Sequence, residues 1–125
     1  MEYQIERYLR DMGRIISNGS CNIALNRQKN LDLFMEYVIN EERAKEILLD
    51  LKVTDFSHVL KNEHKGYEHE NLYVFGKEIE LLKRYEEGKE VVPLYIKINV
   101  IEDMYVAVIS FHKQEYPLTY MFKEV

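Results

Sequence analysis

The spacing of apolar residues changes from a helical to a strand period at one point in the chain, and this change sets the fold class. Before Lys61 the apolar side chains recur every three or four residues, as on one face of an amphipathic helix. After Glu70 they alternate with polar side chains, as in a strand with one buried face. The segment between them is rich in His, Lys, Glu and Gly, which predicts an exposed loop. Helices followed by strands predict an α+β fold, with N-terminal helices packed on one face of a C-terminal antiparallel β-sheet.

Three helices are predicted in the first 60 residues. The first covers residues 2–18 and the second residues 31–38, while the third follows Asn40, a good N-cap residue with acidic residues after it. A short turn of helix is predicted at residues 54–56. Residues 21–26 predict an edge strand that leads into a polar, basic loop ending at Asn30.

The strands are predicted to begin at residue 72. Gly76 marks a bulge or a close approach of another segment, and residues 79–84 predict the start of a long connection. Residues 91–101 and 104–112 predict a hairpin that turns at Glu102-Asp103. The aromatic segment after the hairpin contains Pro117, which excludes it from a central strand.

The bulk properties predict one domain, residues 1–125, with a mainly helical layer over residues 1–60 and the antiparallel sheet over residues 71–125. Cys21 is the single cysteine, so an intramolecular disulfide is excluded and a reducing compartment is expected. The sequence has neither a signal-peptide pattern nor an apolar run of membrane-spanning length. A cytoplasmic protein with no membrane partner is therefore expected.

The predicted hairpin gives one polar and one apolar face. A turn centred on Glu102-Asp103 pairs Tyr95 with Ser110, Lys97 with Val108 and His112 with Pro93. Facing pairs share a side of the sheet, so one face is predicted to carry Tyr95, Lys97, Asn99, Ser110 and His112 together with Val106 and Val108. The apolar face, predicted to contact the helices, then carries Leu94, Ile96, Ile98 and Val100 with Tyr105, Ala107, Ile109 and Phe111.

Two interpretations of the polar face stay open at this point. A sheet covered on one side commonly shows polar residues to water, and solvation alone accounts for Lys97 and Asn99. It accounts less well for Tyr95 and His112. Histidine is the side-chain type whose unperturbed pKa lies near neutrality, so His112 is suited to act as a general acid or base.

Three short motifs carry a resemblance to a known family. They are F-G-K-E at residues 75–78, Y-I-K at 95–97 and S-F-H-x-x-E-Y-P at 110–117. In this order they resemble the MqsR family of toxins, over roughly residues 50–120. The resemblance implies a RelE-like microbial ribonuclease fold, metal-independent cleavage of mRNA without a cofactor, and a cognate antitoxin as protein partner. No direct binding to DNA is expected.

The resemblance also suggests site residues. The active-site tyrosine of the family falls on Tyr95, its lysine after Ser-Phe is replaced by His112, and its lysine after Asp-Phe falls on His58. For RNA cleavage we expect His112 and Tyr95 to be catalytic, with Lys77 stabilising charge and His58 as a second proton carrier. The residues expected to bind RNA are Lys97, Lys113 and Tyr116, the last by stacking on an unpaired base. No metal site is expected.

A non-enzymatic function is the alternative. The net charge is −5, the wrong sign for a general nucleic-acid binder, and the active-site glutamine of the family has no counterpart between Asn71 and Lys77. Both observations favour an acidic protein-binding module or inhibitor on the same fold. A nuclease requires a local positive cleft containing Lys77, Lys97 and His112, whereas an acidic binder should present continuous negative charge over its helices and over residues 61–70.

Overall fold

The computed structural model describes residues 1–123. The helices are α1 (Glu2–Ser17), α2 (Gln28–Glu36) and α3 (Glu41–Leu49), and a 3₁₀ turn covers Val53–Asp55. The strands are β1 (Cys21–Ile23), β2 (Phe56–Lys61), β3 (Asn71–Leu82), β4 (Lys89–Ile101) and β5 (Tyr105–Lys113). None of the helices in residues 1–123 is long and apolar enough to cross a membrane.

The five strands form one sheet in the order β1-β5-β4-β3-β2. Strand β1 is parallel to β5, and all other neighbours are antiparallel. The helices pack on one face of this sheet, which we call the inner face. Ile5 and Met12 of α1 join Ile96 and Ile98 of β4 in a single buried core. The predicted α+β class, with N-terminal helices on one face of the sheet, is confirmed.

Helix α2 begins and ends earlier than predicted. It begins at Gln28 rather than at residue 31, and the amide of the buried Asn30 in its first turn donates a hydrogen bond to β5. It ends at Glu36 because Tyr37 forms a bridge with Lys83 and the N–H of Val38 donates to the carbonyl of Leu82 at 2.9 Å. The edge strand predicted for residues 21–26 is confirmed as the three-residue β1.

The strands differ from the prediction in two places. Strand β2 was not predicted, because its six residues show no clear alternation and it pairs with β3 across an irregular step after Phe56. Residues 79–82 belong to β3 rather than to a connection. Ile79 and Leu81 still alternate with glutamates there, and they pair with Val92 and Glu90 of β4.

The hairpin turns where predicted, but its register differs. Glu102 and Asp103 have φ values of 52° and 56°, and the N–H of Met104 donates to the carbonyl of Ile101 at 3.0 Å. Positive φ at both central residues is the conformation of a type I′ turn. Beyond Ile98, which pairs with Val108, a β-bulge shifts the ladder so that Lys97 pairs with Ser110.

The bulge decides which residues of β5 face the helices. Between the turn and the bulge the register moves by one residue from the predicted one, so Val106 and Val108 are buried in the core rather than on the polar face. Beyond the bulge it moves by two residues, which restores the predicted face. Tyr95 therefore pairs with His112, and both lie with Lys97 and Ser110 on the outer face.

Candidate nucleic-acid interface

A cavity of about 590 Å³ opens on the outer face of the sheet. Its floor comes from β4 and β5, one wall from the first turn of α2, and the other wall from the segment after β5. The lining residues of the floor are Tyr95, Lys97, Ser110 and His112. The α2 wall consists of Arg27, Gln28, Lys29 and Asn30, and the opposite wall of Glu115, Tyr116, Pro117 and Leu118.

Asn30 fixes the α2 wall to the floor. Its side-chain amide donates to the carbonyls of Ala24 and Ile109, both at 2.9 Å, and its oxygen accepts from the N–H of Phe111 at 2.8 Å. The side chain is fully buried. Ile109 and Phe111 lie on either side of Ser110, next to the bulge, so one asparagine satisfies two backbone groups of β5 there and one of the segment after β1.

The opposite wall belongs to a tail, residues 114–123, that crosses the outer face. Gln114 donates to the carbonyl of Leu94 at 3.0 Å, and the hydroxyl of Ser57 on β2 donates to the carbonyl of Thr119 at 2.6 Å. The tail passes directly over Gly76, where a Cβ atom would lie 2.6 Å from Leu118 Cδ1. A larger residue at this position would have to displace the ends of the Leu118, Gln114 and Tyr120 side chains, and the predicted close approach at Gly76 is confirmed.

Tyr95 and His112 form a stacked pair on the floor. Their ring centroids are 5.3 Å apart and the rings are inclined by 14°. His112 Nδ1 lies 2.8 Å from the carbonyl oxygen of Lys113. Since a carbonyl can only accept, Nδ1 carries the hydrogen, and in the neutral imidazole Nε2 is left as a proton acceptor.

Two side chains of the floor have shifted pKa values. Burial raises the pKa of the Tyr95 phenol, and the positive charge of Lys29 opposes this only in part. The phenol therefore stays protonated at neutral pH and can donate a hydrogen bond to a ligand. The pKa of Lys97 lies below its usual range, because partial burial penalises the ammonium ion and Arg27 repels it, although Glu63 acts in the opposite direction.

The cavity is cationic although the protein is acidic. Arg27, Lys29 and Lys97 line it together with one carboxylate, that of Glu115, which forms an ion pair with Lys29. The net charge of the chain is −5, so the acidic residues are concentrated elsewhere. A cleft lined by cations with low-dielectric walls attracts anions despite an overall negative charge.

No protein-family model matches this chain, and no curated protein and no solved structure matches it either. The resemblance to MqsR toxins thus stays a prediction from short motifs.

The structure brings together four of the seven residues that the sequence suggested. Tyr95, His112 and Lys97 line the floor of the cavity, and Tyr116 stands at its rim with 79% of its surface exposed. The exposed ring of Tyr116 is free to stack on a base, which is the role expected of it.

The other three suggested residues lie outside the cavity. Lys77 is on the inner side, where its ammonium group contacts Asp50 at 3.3 Å and Asp55 at 3.4 Å. The prediction of one cleft containing Lys77, Lys97 and His112 is therefore wrong for Lys77. Side chains alternate along β3, and it is Gly76, the neighbour of Lys77, that lies on the outer face. Lys113 points away from the cavity for the same reason of strand alternation and pairs with Glu36 at 3.0 Å.

His58 lies on β2 rather than on a short helix. Its Nδ1 is 2.8 Å from the hydroxyl of Ser57, and it borders a separate cavity with Met121. Both cavities share Pro117 and Leu118, so the tail separates His58 from His112.

Arg27, Lys29 and Ser110 were not among the suggested site residues. The basic character of residues 26–30 and the polar face of the hairpin were visible in the sequence. The contact that joins these two features, the hydrogen bonding of Asn30 across 79 and 81 residues of chain, has no sequence signal.

Proposed function

We propose that the protein binds single-stranded RNA in the outer-face cavity and cleaves it by metal-independent acid-base chemistry. The proposal is supported by the chemical groups that line this cavity. A cationic cavity on an acidic protein contains a histidine whose Nε2 is left as the proton acceptor, a neutral phenol and a lysine of lowered pKa. These are the groups that cleavage of an RNA phosphodiester requires.

The proposed reaction uses each group once. His112 Nε2 takes the proton from the ribose 2′-hydroxyl, whose oxygen forms a bond to phosphorus while the bond from phosphorus to the 5′-oxygen breaks. Lys97 gives a proton to the departing 5′-oxygen, a role that its lowered pKa favours. Tyr95 donates a hydrogen bond to the phosphate, and Arg27 offsets the developing negative charge. The products carry a 2′,3′-cyclic phosphate and a 5′-hydroxyl.

The resemblance to MqsR toxins supports the same reaction and adds a proposal of its own, a cognate antitoxin that blocks the cavity. The single cysteine supports a further proposal, a location in the reducing cytoplasm. The alternative function is that of a non-catalytic module that binds a basic protein. A further cavity of about 350 Å³, at the other end of the sheet, is bordered by Asp11, Glu70, Glu102 and Asp103. This is the acidic surface that a non-catalytic binding module would use.

The test is cleavage of a mixed, unstructured RNA in EDTA. We expect the wild-type protein to cut it and to leave cyclic-phosphate ends, because attack by the 2′-hydroxyl forms them. His112→Ala and Tyr95→Phe should each lower the rate, by at least about a hundredfold for the proton acceptor, which is the usual contribution of general base catalysis. The readout is the rate of fragment formation together with the end groups of the fragments.

The matched control is His58→Ala. It removes a histidine from the same outer face but outside the cavity, and it should keep nearly full activity. RNA left intact by the wild-type protein, with and without ribosomes present, would exclude the nuclease and favour the acidic binding module. Equal losses in His58→Ala and His112→Ala would show that the cavity is not where cleavage occurs.

A further inference from the structure

The first turn of α2 lacks the features that usually satisfy a helix N-terminus. Arg27, the N-cap residue, makes no side-chain capping bond, and the first turn contains no acidic residue. The N–H groups of an initial helical turn have no partners within the helix, and the helix dipole places partial positive charge there. This turn forms one wall of the cationic cavity.

A second and independent feature lies at the floor beside this turn. Ser110 is only 5% exposed, and it lines the cavity. Its hydroxyl makes no hydrogen bond to any other residue in the described range, 1–123, and its oxygen is not sealed from the cavity. Buried hydroxyls ordinarily have partners, so the hydroxyl of a buried serine that faces an open cavity without a protein partner is available to a polar ligand.

The two features are held together by Asn30. It is the third residue of α2, and its side chain bonds to the backbone on both sides of Ser110, at Ile109 and Phe111. The hydroxyl and the first helical turn are thus positioned before any ligand arrives. Preorganised donors cost little free energy at the moment of binding.

We infer that the first turn of α2 and the Ser110 hydroxyl form a phosphate-binding subsite, with Arg27 and Lys29 as its cationic side chains. The ligand is a phosphate group of an RNA backbone, so the inference rests on the proposed function and specifies where the cavity holds its substrate. Backbone N–H groups at a helix N-terminus, a hydroxyl and two cations are a donor set suited to a dianionic or monoanionic phosphate.

Glu115 occupies part of this subsite in the free protein. Its carboxylate pairs with Lys29, which holds the pKa of Glu115 below its usual range. A carboxylate from the tail competes with an incoming phosphate for the same ammonium group. Binding of phosphate therefore requires the Lys29 to Glu115 pair to open, and removing the carboxylate should strengthen binding.

The experiment is a titration of ¹⁵N-labelled full-length protein with inorganic phosphate, with sodium chloride at matched ionic strength as reference. We expect saturable shifts that are largest at the backbone amides of Gln28 and Lys29. Ser110→Ala should weaken phosphate binding by about tenfold, the loss expected when one hydrogen bond to a charged group is removed. Glu115→Gln should strengthen it several-fold.

The control variant is Lys61→Gln, which removes one positive charge from an exposed residue at the end of β2, outside the cavity. It should leave phosphate affinity unchanged. Unsaturable shifts, or shifts of equal size at amides away from α2, would overturn the subsite even if the protein cleaves RNA. Saturable binding at α2 by a protein that does not cleave RNA would uphold the subsite and reject the nuclease.

Discussion

A main-chain oxygen determines which nitrogen of His112 can accept a proton. The carbonyl of Lys113 takes the Nδ1 hydrogen, so Nε2 is the basic nitrogen. The residue that supplies this carbonyl was itself suggested as an RNA ligand, but its side chain is engaged with Glu36 and Glu90 on the other side of the strand. Lys113 thus supports the site through its backbone.

Lys97 gives the RNA affinity a distinctive pH dependence. Its pKa lies below that of an exposed lysine, so it loses its charge at a lower pH than the other lysines as the solution becomes alkaline. We expect the affinity for a non-cleavable 2′-O-methyl RNA to fall over the pH range in which Lys97 loses its charge. Lys97→Arg, which stays charged, should move the fall to higher pH. Fluorescence anisotropy across the alkaline range measures both profiles.

The same pKa shift has the opposite effect on stability. In the window between the lowered folded pKa and the unfolded pKa, the unfolded chain binds more protons at Lys97, so this residue makes the folded state more stable as pH rises. Loss of RNA binding in this pH range therefore cannot be caused by a destabilising effect of Lys97 on the fold. Identical alkaline profiles for wild type and Lys97→Arg would contradict the assignment of Lys97 to the binding floor.

At the scale of elements, the bulge of β5 and helix α2 depend on each other. Asn30→Ala would leave the carbonyls of Ala24 and Ile109 and the N–H of Phe111 without their partner. We expect the free energy of unfolding to fall by about 2–4 kcal/mol, since buried groups left unpaired cost about 1–3 kcal/mol each and water can satisfy some of them. Urea denaturation measures the change.

Asn22→Ala is the matched control, because Asn22 is an exposed asparagine of the edge strand β1. It should change the free energy of unfolding by less than about 0.5 kcal/mol. A small effect of Asn30→Ala, similar to that of the control, would mean that the bulge does not need the asparagine.

The accuracy of the prediction from sequence differs from one element to another. Periodicity predicted α1, α3 and the β4-β5 hairpin because each has a long apolar pattern of its own. It missed β2 and misplaced α2, whose limits depend on distant partners. The polar face of the cavity was predicted correctly beyond the bulge and incorrectly before it, at Val106 and Val108, because a single unpaired residue in β5 leaves no mark in the sequence pattern.

For the whole molecule, the sum of charges is a poor guide to the cavity. The net charge of −5 predicts repulsion of RNA, whereas Arg27, Lys29 and Lys97 converge on one cavity. Convergence of α2 with β4 is a property of the tertiary structure, so composition alone could not predict it.

Salt dependence of RNA binding distinguishes local from total charge. If about three phosphates are contacted, the logarithm of affinity for single-stranded RNA should fall with the logarithm of salt concentration with a slope of about −2. Lys97→Gln should reduce the steepness by about 0.7, and Lys61→Gln should not change it. A slope near zero for the wild-type protein would mean that phosphates do not enter the cavity. Anisotropy titrations at several salt concentrations give the slope.

The strand order has a consequence for the integrity of the chain. The exposed loop between β2 and β3 divides the sequence so that the first part contains all the helices and both border strands, β1 and β2, while the second part contains the three interior strands. A protease cut in this loop would therefore not separate two independent halves. The two fragments would still be joined by two strand pairs, β1 with β5 and β2 with β3, and by a shared core. The cleaved protein would therefore stay associated as a non-covalent complex of two fragments.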